Sequence, residues 1–112
     1  MVIITLLFAR SYFPPDQANK VGKKYIEWLK NNPPDNTIGK TLCIGVLSNE
    51  EGNIMVIGIS EIGKGKEKEA LERNTKSNLF LAKEIEGYKY KSEVILDFTE
   101  AYKIMDMVAP DL

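Results

Sequence analysis

A small set of cationic, acidic and aromatic residues carries most of the chemistry that this sequence could perform. Arg10 is one of only two arginines in the chain, and its planar guanidinium suits a carboxylate or a phosphate. Tyrosine hydroxyls and lysine ammonium groups add hydrogen-bond donors, and a glutamate adds an acceptor. The candidate ligand-binding residues are Arg10, Tyr12, Lys40, Glu61, Lys64, Tyr88 and Tyr90.

The complete absence of histidine excludes several kinds of site. It removes Ser-His-Asp triads, Cys-His pairs, histidine-ligated haem and most zinc sites. The acidic stretch at 49–53 lacks the ligand spacing of a calcium loop. We therefore expect no metal site and no cofactor, and we assign no catalytic residue. The sequence leaves open whether any reaction is catalysed.

Two segments imitate the phosphate-binding P-loop, in which glycine, four residues, Gly-Lys and then Ser or Thr follow one another. The segment 34–41 ends in Gly-Lys-Thr, but Pro34 replaces its first glycine and a strand follows it instead of a helix. The segment 58–65 has both glycines, but Gly65 stands where the magnesium-binding hydroxyl belongs. We therefore assign no nucleotide site.

Hydrophobic periodicity predicts the elements that must position these residues, in the order β-α-β-β-α-β with a short helix at the C-terminal end. Strands are predicted at 2–9, 40–47, 53–62 and 88–98. Helices are predicted between Asp16 and Pro33, at 66–85, and from Asp97 to Val108. This order over 112 residues predicts one α+β domain, residues 1–112, of the ferredoxin-like kind.

Two small residues carry structural expectations of their own. Gly22 lies on the apolar stripe of the first helix, which predicts a close approach of that helix to the sheet. The lone cysteine, Cys43, lies in an apolar run, which predicts a buried position. A single cysteine excludes an internal disulfide and favours a reducing compartment.

Composition narrows the partners and the location. A net charge of −1 gives no overall attraction to nucleic acid or to anionic lipid. No segment approaches the roughly 20 consecutive apolar residues of a membrane helix. The apolar opening run lacks the basic flank and cleavage site of a secretion signal. We therefore expect a cytoplasmic protein that binds neither nucleic acid nor membranes.

The predicted topology gathers the candidate residues at one end of the sheet. If strands 1 and 3 are central and parallel, their exits share one end with the entrances of strands 2 and 4, and both helix N-termini point there. We expect this end to bind a small anionic or aromatic ligand. The structural alternative stays open: Arg10 pairs with Glu61 or a helix carboxylate, and the tyrosines cap the core.

The face of the sheet without helices is predicted to be apolar and to need a partner. Strand 1 is apolar on both sides, and apolar residues also occupy both sides of strand 2. Two such sheets packed face to face resemble the dimeric α+β barrel superfamily, over nearly the whole chain. The resemblance implies a homodimer or a higher oligomer. Members of that superfamily include cofactor-free monooxygenases, isomerases and ligand-sensing domains.

The sequence is therefore consistent with two functions. The first is a homodimeric protein that binds a small molecule. The second is a structural or regulatory partner-interaction module without catalysis. RNA binding through the sheet is disfavoured, because it needs exposed aromatic residues on strands 1 and 3, where Phe8 stands alone.

Overall fold

The computed structural model describes residues 5–112, which form four strands and three α-helices. The elements are β1 Thr5–Phe13, α1 Ala18–Asn31, β2 Gly39–Ser48, β3 Ile54–Ile62, α2 Glu67–Glu84, β4 Lys89–Leu96 and α3 Phe98–Ile104. The predicted element order is confirmed, and most bounds agree within a few residues. Residues 2–4 of the predicted first strand lie outside the described residues.

The four strands form one antiparallel sheet in the order β2-β3-β1-β4. The strands β1 and β3 are central, as predicted, but they pair antiparallel, so the prediction of parallel central strands was wrong. Each strand-helix-strand unit keeps its own two strands parallel, and here a third strand lies between them. The sheet and helices together are an α+β fold consistent with a ferredoxin-like arrangement.

This pairing separates the two ends of the sheet. At what we call the upper end, Phe13 of β1 lies opposite Ile54. At the lower end, Thr5 of β1 lies opposite Ile62 and Leu96. Helix α1 follows β1 from the upper end, whereas α2 follows β3 from the lower end. The prediction that both helix N-termini point to one end was therefore wrong.

The helical layer covers the sheet incompletely. Leu7, Ile62 and Ala70 form a buried cluster where α2 lies over β1 and β3. In contrast, α1 has no buried residue. Gly22 of α1 would meet no atom of another element within 4 Å of an added Cβ. The predicted close approach of α1 to the sheet was therefore wrong.

The side chains on both faces of the outer strand β2 are exposed. Leu42, Ile44, Val46 and Leu47 are 51%, 60%, 68% and 43% exposed. Cys43 is exposed as well, so its predicted burial was wrong. The cause is position, because β2 is an outer strand and the helices do not bury it: α1 has no buried residue, and the buried cluster under α2 involves β1 and β3.

The short C-terminal helix α3 begins as the sequence predicts. The Asp97 Oδ1 accepts a hydrogen bond from the Glu100 backbone N–H at 2.8 Å, which caps the first turn. Among the described residues, no helix combines the length and apolar character needed to cross a bilayer.

Gly63 gives a test of the close contact between the chain before β2 and the end of β3. Its N–H donates to the Ile38 carbonyl at 2.8 Å, and an added Cβ would overlap the Thr37 carbonyl oxygen. We expect Gly63→Ala to lower the free energy of unfolding by about 1–3 kcal/mol, measured by urea denaturation. Gly58→Ala is the control, because an added Cβ there meets no atom within 4 Å. Equal losses in both variants would contradict the steric explanation.

Candidate functional site

A cleft lies between α1, α2 and the helix-facing side of the sheet. Its volume is 440 Å³, within the roughly 300–1,000 Å³ of small-molecule sites. The walls are mainly apolar. They include Val21 and Tyr25 of α1, Ile44 and Val46 of β2, and Val56 of β3.

Small residues keep this cleft open. Ala9 and Gly58 are register partners on the sheet, and Gly22 lies on α1; all three line the cleft. A Cβ added to either glycine would meet no atom within 4 Å. Space that larger side chains would fill is therefore free for another molecule.

Helix α2 gives the cleft a polar wall. Asn78 is only 7% exposed, and its Oδ1 accepts a hydrogen bond from the Tyr88 hydroxyl at 2.6 Å. Its Nδ2 donates to the Asn74 carbonyl at 2.9 Å. The Asn74 Oδ1 accepts from the Ser92 hydroxyl at 2.5 Å. These bonds tie α2 to β4, and Asn74, Ser77 and Asn78 line the cleft.

Tyr88 fixes the orientation of the Asn78 side chain through the hydrogen bond from its hydroxyl. Its ring stacks on Phe13, with centroids 6.5 Å apart. Burial raises the pKa of Tyr88 to about 12, although a hydrogen bond with Ser11 acts in the opposite direction. The phenol therefore stays neutral at physiological pH and donates a hydrogen bond to Asn78 Oδ1.

A smaller pocket of 190 Å³ adjoins the cleft towards the lower end. Tyr25, Asn74 and Ser77 line both spaces. Two of the charged residues that line the smaller pocket, Arg73 and Asp35, have hydrogen-bond partners. Arg73 Nη2 donates to the Asn32 and Pro33 carbonyls at 2.6 and 3.0 Å. Hydrogen bonds from the side chain and backbone of Thr37 lower the pKa of Asp35.

The seven predicted site residues do not form one cluster. Arg10, Tyr12, Tyr88 and Tyr90 lie towards the upper end, and Lys40, Glu61 and Lys64 towards the lower end. Glu61 pairs with Leu6 on β1, four residues from Arg10 and so about 13 Å along the strand. The expectation that all seven residues share one end of the sheet was wrong, because it rested on parallel central strands.

The upper-end residues also divide between the two faces of the sheet. Side chains alternate along β1, so Arg10 and Tyr12 lie on the face opposite the buried Phe13. Tyr88 lies on the helix side, where it contacts Asn78. Tyr90 is the register partner of Ser11 and shares that side. Tyr88 reaches the cleft through Asn78, and the ligand-binding role of the other residues stays a prediction.

Arg10 has carboxylate and aromatic partners on the open face. Its guanidinium pairs with Glu93 and lies 4.7 Å from the Phe8 ring centroid. Lys91 also approaches Glu93, at 3.4 Å. A hydrogen bond and the charge of Lys91, followed by those of Arg10, lower the pKa of Glu93. The structural alternative for Arg10 is thus present, with Glu93 in place of Glu61.

The polar wall was not predicted, although the sequence contains a signal for it. Asn74, Ser77 and Asn78 continue the three- and four-residue steps that begin at Ala70 and end at Leu81. Polar residues on the core-facing stripe of a helix need internal hydrogen-bond partners. Across residues 5–112, no three side chains of His, Cys, Asp or Glu are grouped so that they could hold a metal ion.

Comparisons with known proteins show likeness of fold only. No family model matches the chain, and no curated protein does. The de novo designed protein Foldit4 is 11% identical, with a TM-score of 0.55 over 86% of this chain and 99% of its own.

Two natural proteins of known structure are also similar in fold. A conserved protein from Methanosarcina mazei Go1 is 8% identical, with a TM-score of 0.55 over 85% of this chain and 93% of its own. The C-terminal domain of the MgtC protein from Mycobacterium tuberculosis is 12% identical, with a TM-score of 0.50 over 85% of this chain and 94% of its own. At these identities the likeness shows a small antiparallel α+β fold and no activity.

The buried phenol of Tyr88 predicts a specific alkaline effect. Its pKa is about 12 in the folded chain, against about 10 when unfolded. The stability that this difference contributes is complete below pH 10 and is lost as the pH rises towards 12. We expect Tyr88→Phe to remove the late-ionising component of the native tyrosinate absorbance. Tyr90→Phe, the control, should retain it; a late component that survives in Tyr88→Phe would contradict the assignment.

Proposed function

We propose that this chain forms a homodimeric protein that binds a small molecule in the cleft between α1, α2 and the sheet. The observation that carries the proposal is the cleft itself, a 440 Å³ space with mainly apolar walls and a few hydrogen-bonding groups on one side. Such a combination is typical of small-molecule sites. We assign no reaction to it.

The sequence predicts a small anionic or aromatic ligand, and the residues that line the cleft favour an aromatic one. Aliphatic walls and the Tyr25 ring bury an apolar body, and the polar wall can orient one hydroxyl or carbonyl group. Arg10 borders the cleft, but its guanidinium pairs with Glu93 on the other face. A charged ligand group would lose its hydration there without a countercharge. We therefore propose a neutral aromatic or alicyclic ligand.

The ferredoxin-like fold and the cytoplasmic location belong to the same proposal. The strand order β2-β3-β1-β4, with both long helices on one face, supports the fold. The single cysteine, Cys43, is free and supports a reducing compartment. Face-to-face pairing of two sheets, as in the dimeric α+β barrels, is one way in which the homodimer could form.

Filling the cleft tests the ligand site without endangering the fold. Gly22→Leu adds a large apolar side chain to the cleft wall, and it replaces a poor helix former by a good one. The probe is N-phenyl-1-naphthylamine, a neutral aromatic dye that fluoresces in apolar surroundings. We expect saturable binding to the parent chain and at least about a tenfold loss of affinity in Gly22→Leu, the effect of about 1.4 kcal/mol.

Two matched variants complete this test. Lys23→Leu puts the same new side chain on the next, exposed residue of α1, and should bind the dye as the parent does. Arg10→Ala should also bind it normally. Loss of binding in Arg10→Ala with normal binding in Gly22→Leu would move the site to the open face and overturn the proposal. Native mass spectrometry of gently purified protein would additionally reveal a copurified ligand.

The partner-interaction module remains a second candidate function. It is favoured by the exposed apolar side chains in and after α3, where Ile104, Met105 and Val108 are 71%, 57% and 93% exposed. Exposed apolar groups of this size indicate a binding surface. This candidate would be supported if the dye failed to saturate and native mass spectra showed a dimer without additional mass.

A further inference from the structure

We infer that a second copy of this chain pairs with the outer edge of β2, and that it supplies Ile44 and Val46 to the open side of each cleft. The two sheets then join into one continuous sheet, with both helical layers on the same face. The inference rests on the proposed function, because it names the partner that completes the same cleft.

The outer edge of β2 has the features of a strand that pairs. It is ten residues long, contains no proline and carries one charge, Lys40. Within the described chain, β3 is its only neighbour, so its outward N–H and C=O groups have no strand partner. Edges of this kind template pairing with another chain. The bulge at Leu42 leaves residues 43–48 regular.

The other edge of the sheet is protected. Outer strand β4 carries Lys89, Lys91 and Glu93 on one face, and charged side chains on an edge strand oppose pairing. The contrast between β4 and β2 identifies β2 as the edge that accepts a partner.

The cleft is unfinished along the same strand. Ile44 and Val46 line it, yet they are 60% and 68% exposed. Their register partners on β3 are Gly58 and Val56, which places them on the helix side of the sheet. Nothing in residues 5–112 covers these two side chains, so the cleft is open to solvent where β2 ends the sheet.

Pairing of two β2 strands about a two-fold axis at Gly45 would cover the open side of each cleft. Two β2 strands then run antiparallel, and Ile44 of one copy stands opposite Val46 of the other. Residues directly opposite in an antiparallel pair share a face. The four side chains therefore form one apolar strip that links the mouths of the two clefts.

Charge complementarity fixes the same orientation. Lys40 lies near the start of β2, and Glu50 and Glu51 follow its end. Asn49 Oδ1 accepts hydrogen bonds from the Glu51 and Asn53 N–H groups at 3.0 and 2.9 Å, which holds the acidic turn at the strand end. Antiparallel pairing brings Lys40 of each copy beside the acidic turn of the other, twice by symmetry.

The exposed area of the chain is large enough for such an interface. Its solvent-accessible surface is 7862 Å², whereas a compact monomer of 12.6 kDa exposes about 6,200 Å². The exposed side chains of Leu42, Ile44, Val46 and Leu47 on β2 contribute to this area, and a standard interface buries roughly 800 Å² on each partner. Face-to-face pairing is less favourable, because it would desolvate the Arg10–Glu93 pair on the open face.

The oligomeric state of β2 variants tests the interface directly. We expect a dimer for the parent chain in sedimentation velocity and a monomer for the double variant Ile44→Lys/Val46→Lys. Both positions are more than half exposed, so the monomer should keep its circular dichroism spectrum. The control is Leu79→Lys on α2, an apolar residue that is 49% exposed and does not line the cleft; it should remain dimeric.

Charge reversal tests the orientation. Lys40→Glu should raise the dimer dissociation constant about tenfold, because it places like charges side by side, and Lys40→Glu/Glu50→Lys should restore it. The sole cysteine, Cys43, accepts a nitroxide label in the native sequence. Pairing about Gly45 places the two Cys43 Cα atoms about 14 Å apart, which gives dipolar coupling in the dimer.

Three outcomes would overturn the inference. The first is a parent chain that stays monomeric at all concentrations. The second is a dimer that survives Ile44→Lys/Val46→Lys but dissociates in Phe8→Lys on the open face, which indicates face-to-face pairing. The third is no restoration of the dimer by the double charge reversal. Dye binding that persists, and is still lost in Gly22→Leu, would leave the cleft proposal standing without this interface.

Discussion

The attachment of α2 to the sheet is the interaction on which the rest of the structure depends. Ala70 belongs to the buried cluster with Leu7 and Ile62, and Asn74 and Asn78 hydrogen-bond to β4 and to the residue before it. Helix α1 has no comparable anchor in the sheet. It contacts α2 through Trp28, whose ring centroid lies 5.8 Å from that of Phe80. In addition, Arg73 of α2 donates hydrogen bonds to the carbonyls of Asn32 and Pro33, which follow α1. The cleft exists because α1 is held by its neighbouring helix and not by the strands beneath it.

Local sequence was sufficient to predict the elements. Pro33 ends the first helix, Asp97 caps the last, and apolar runs mark the strands, because these signals act within a few residues. Strand direction was not predictable in the same way, since it depends on which strand enters between two others. Because the strand direction was predicted wrongly, Lys40, Glu61 and Lys64 were expected beside Arg10, whereas they lie towards the other end of the sheet. Each of these residues nevertheless lies in or next to its predicted element.

The cleft shows a second limit of sequence reading. Ala9, Gly22 and Gly58 come from three different elements, and each alone is an ordinary small residue. The cleft forms only because these three residues lie next to one another in the folded chain, and hydrophobic periodicity along the sequence cannot predict that. Asn78 differs in this respect, because a polar residue on a core-facing helical stripe already requires a partner. The polar wall was thus accessible to sequence reasoning, whereas the apolar cavity beside it was not.

The difference between the two edges of the sheet limits how far assembly can go. A sheet with two bare edges adds molecules at both sides and grows without end, as a filament. Among the described residues, β2 and β4 each have one neighbouring strand, but β4 carries charged side chains that oppose pairing, whereas β2 carries one charge, Lys40. Pairing of β2 with itself about a two-fold axis uses the bare edge of both molecules at once and leaves charged edges outside. Self-association through β2, as we propose it, would therefore stop at a closed dimer.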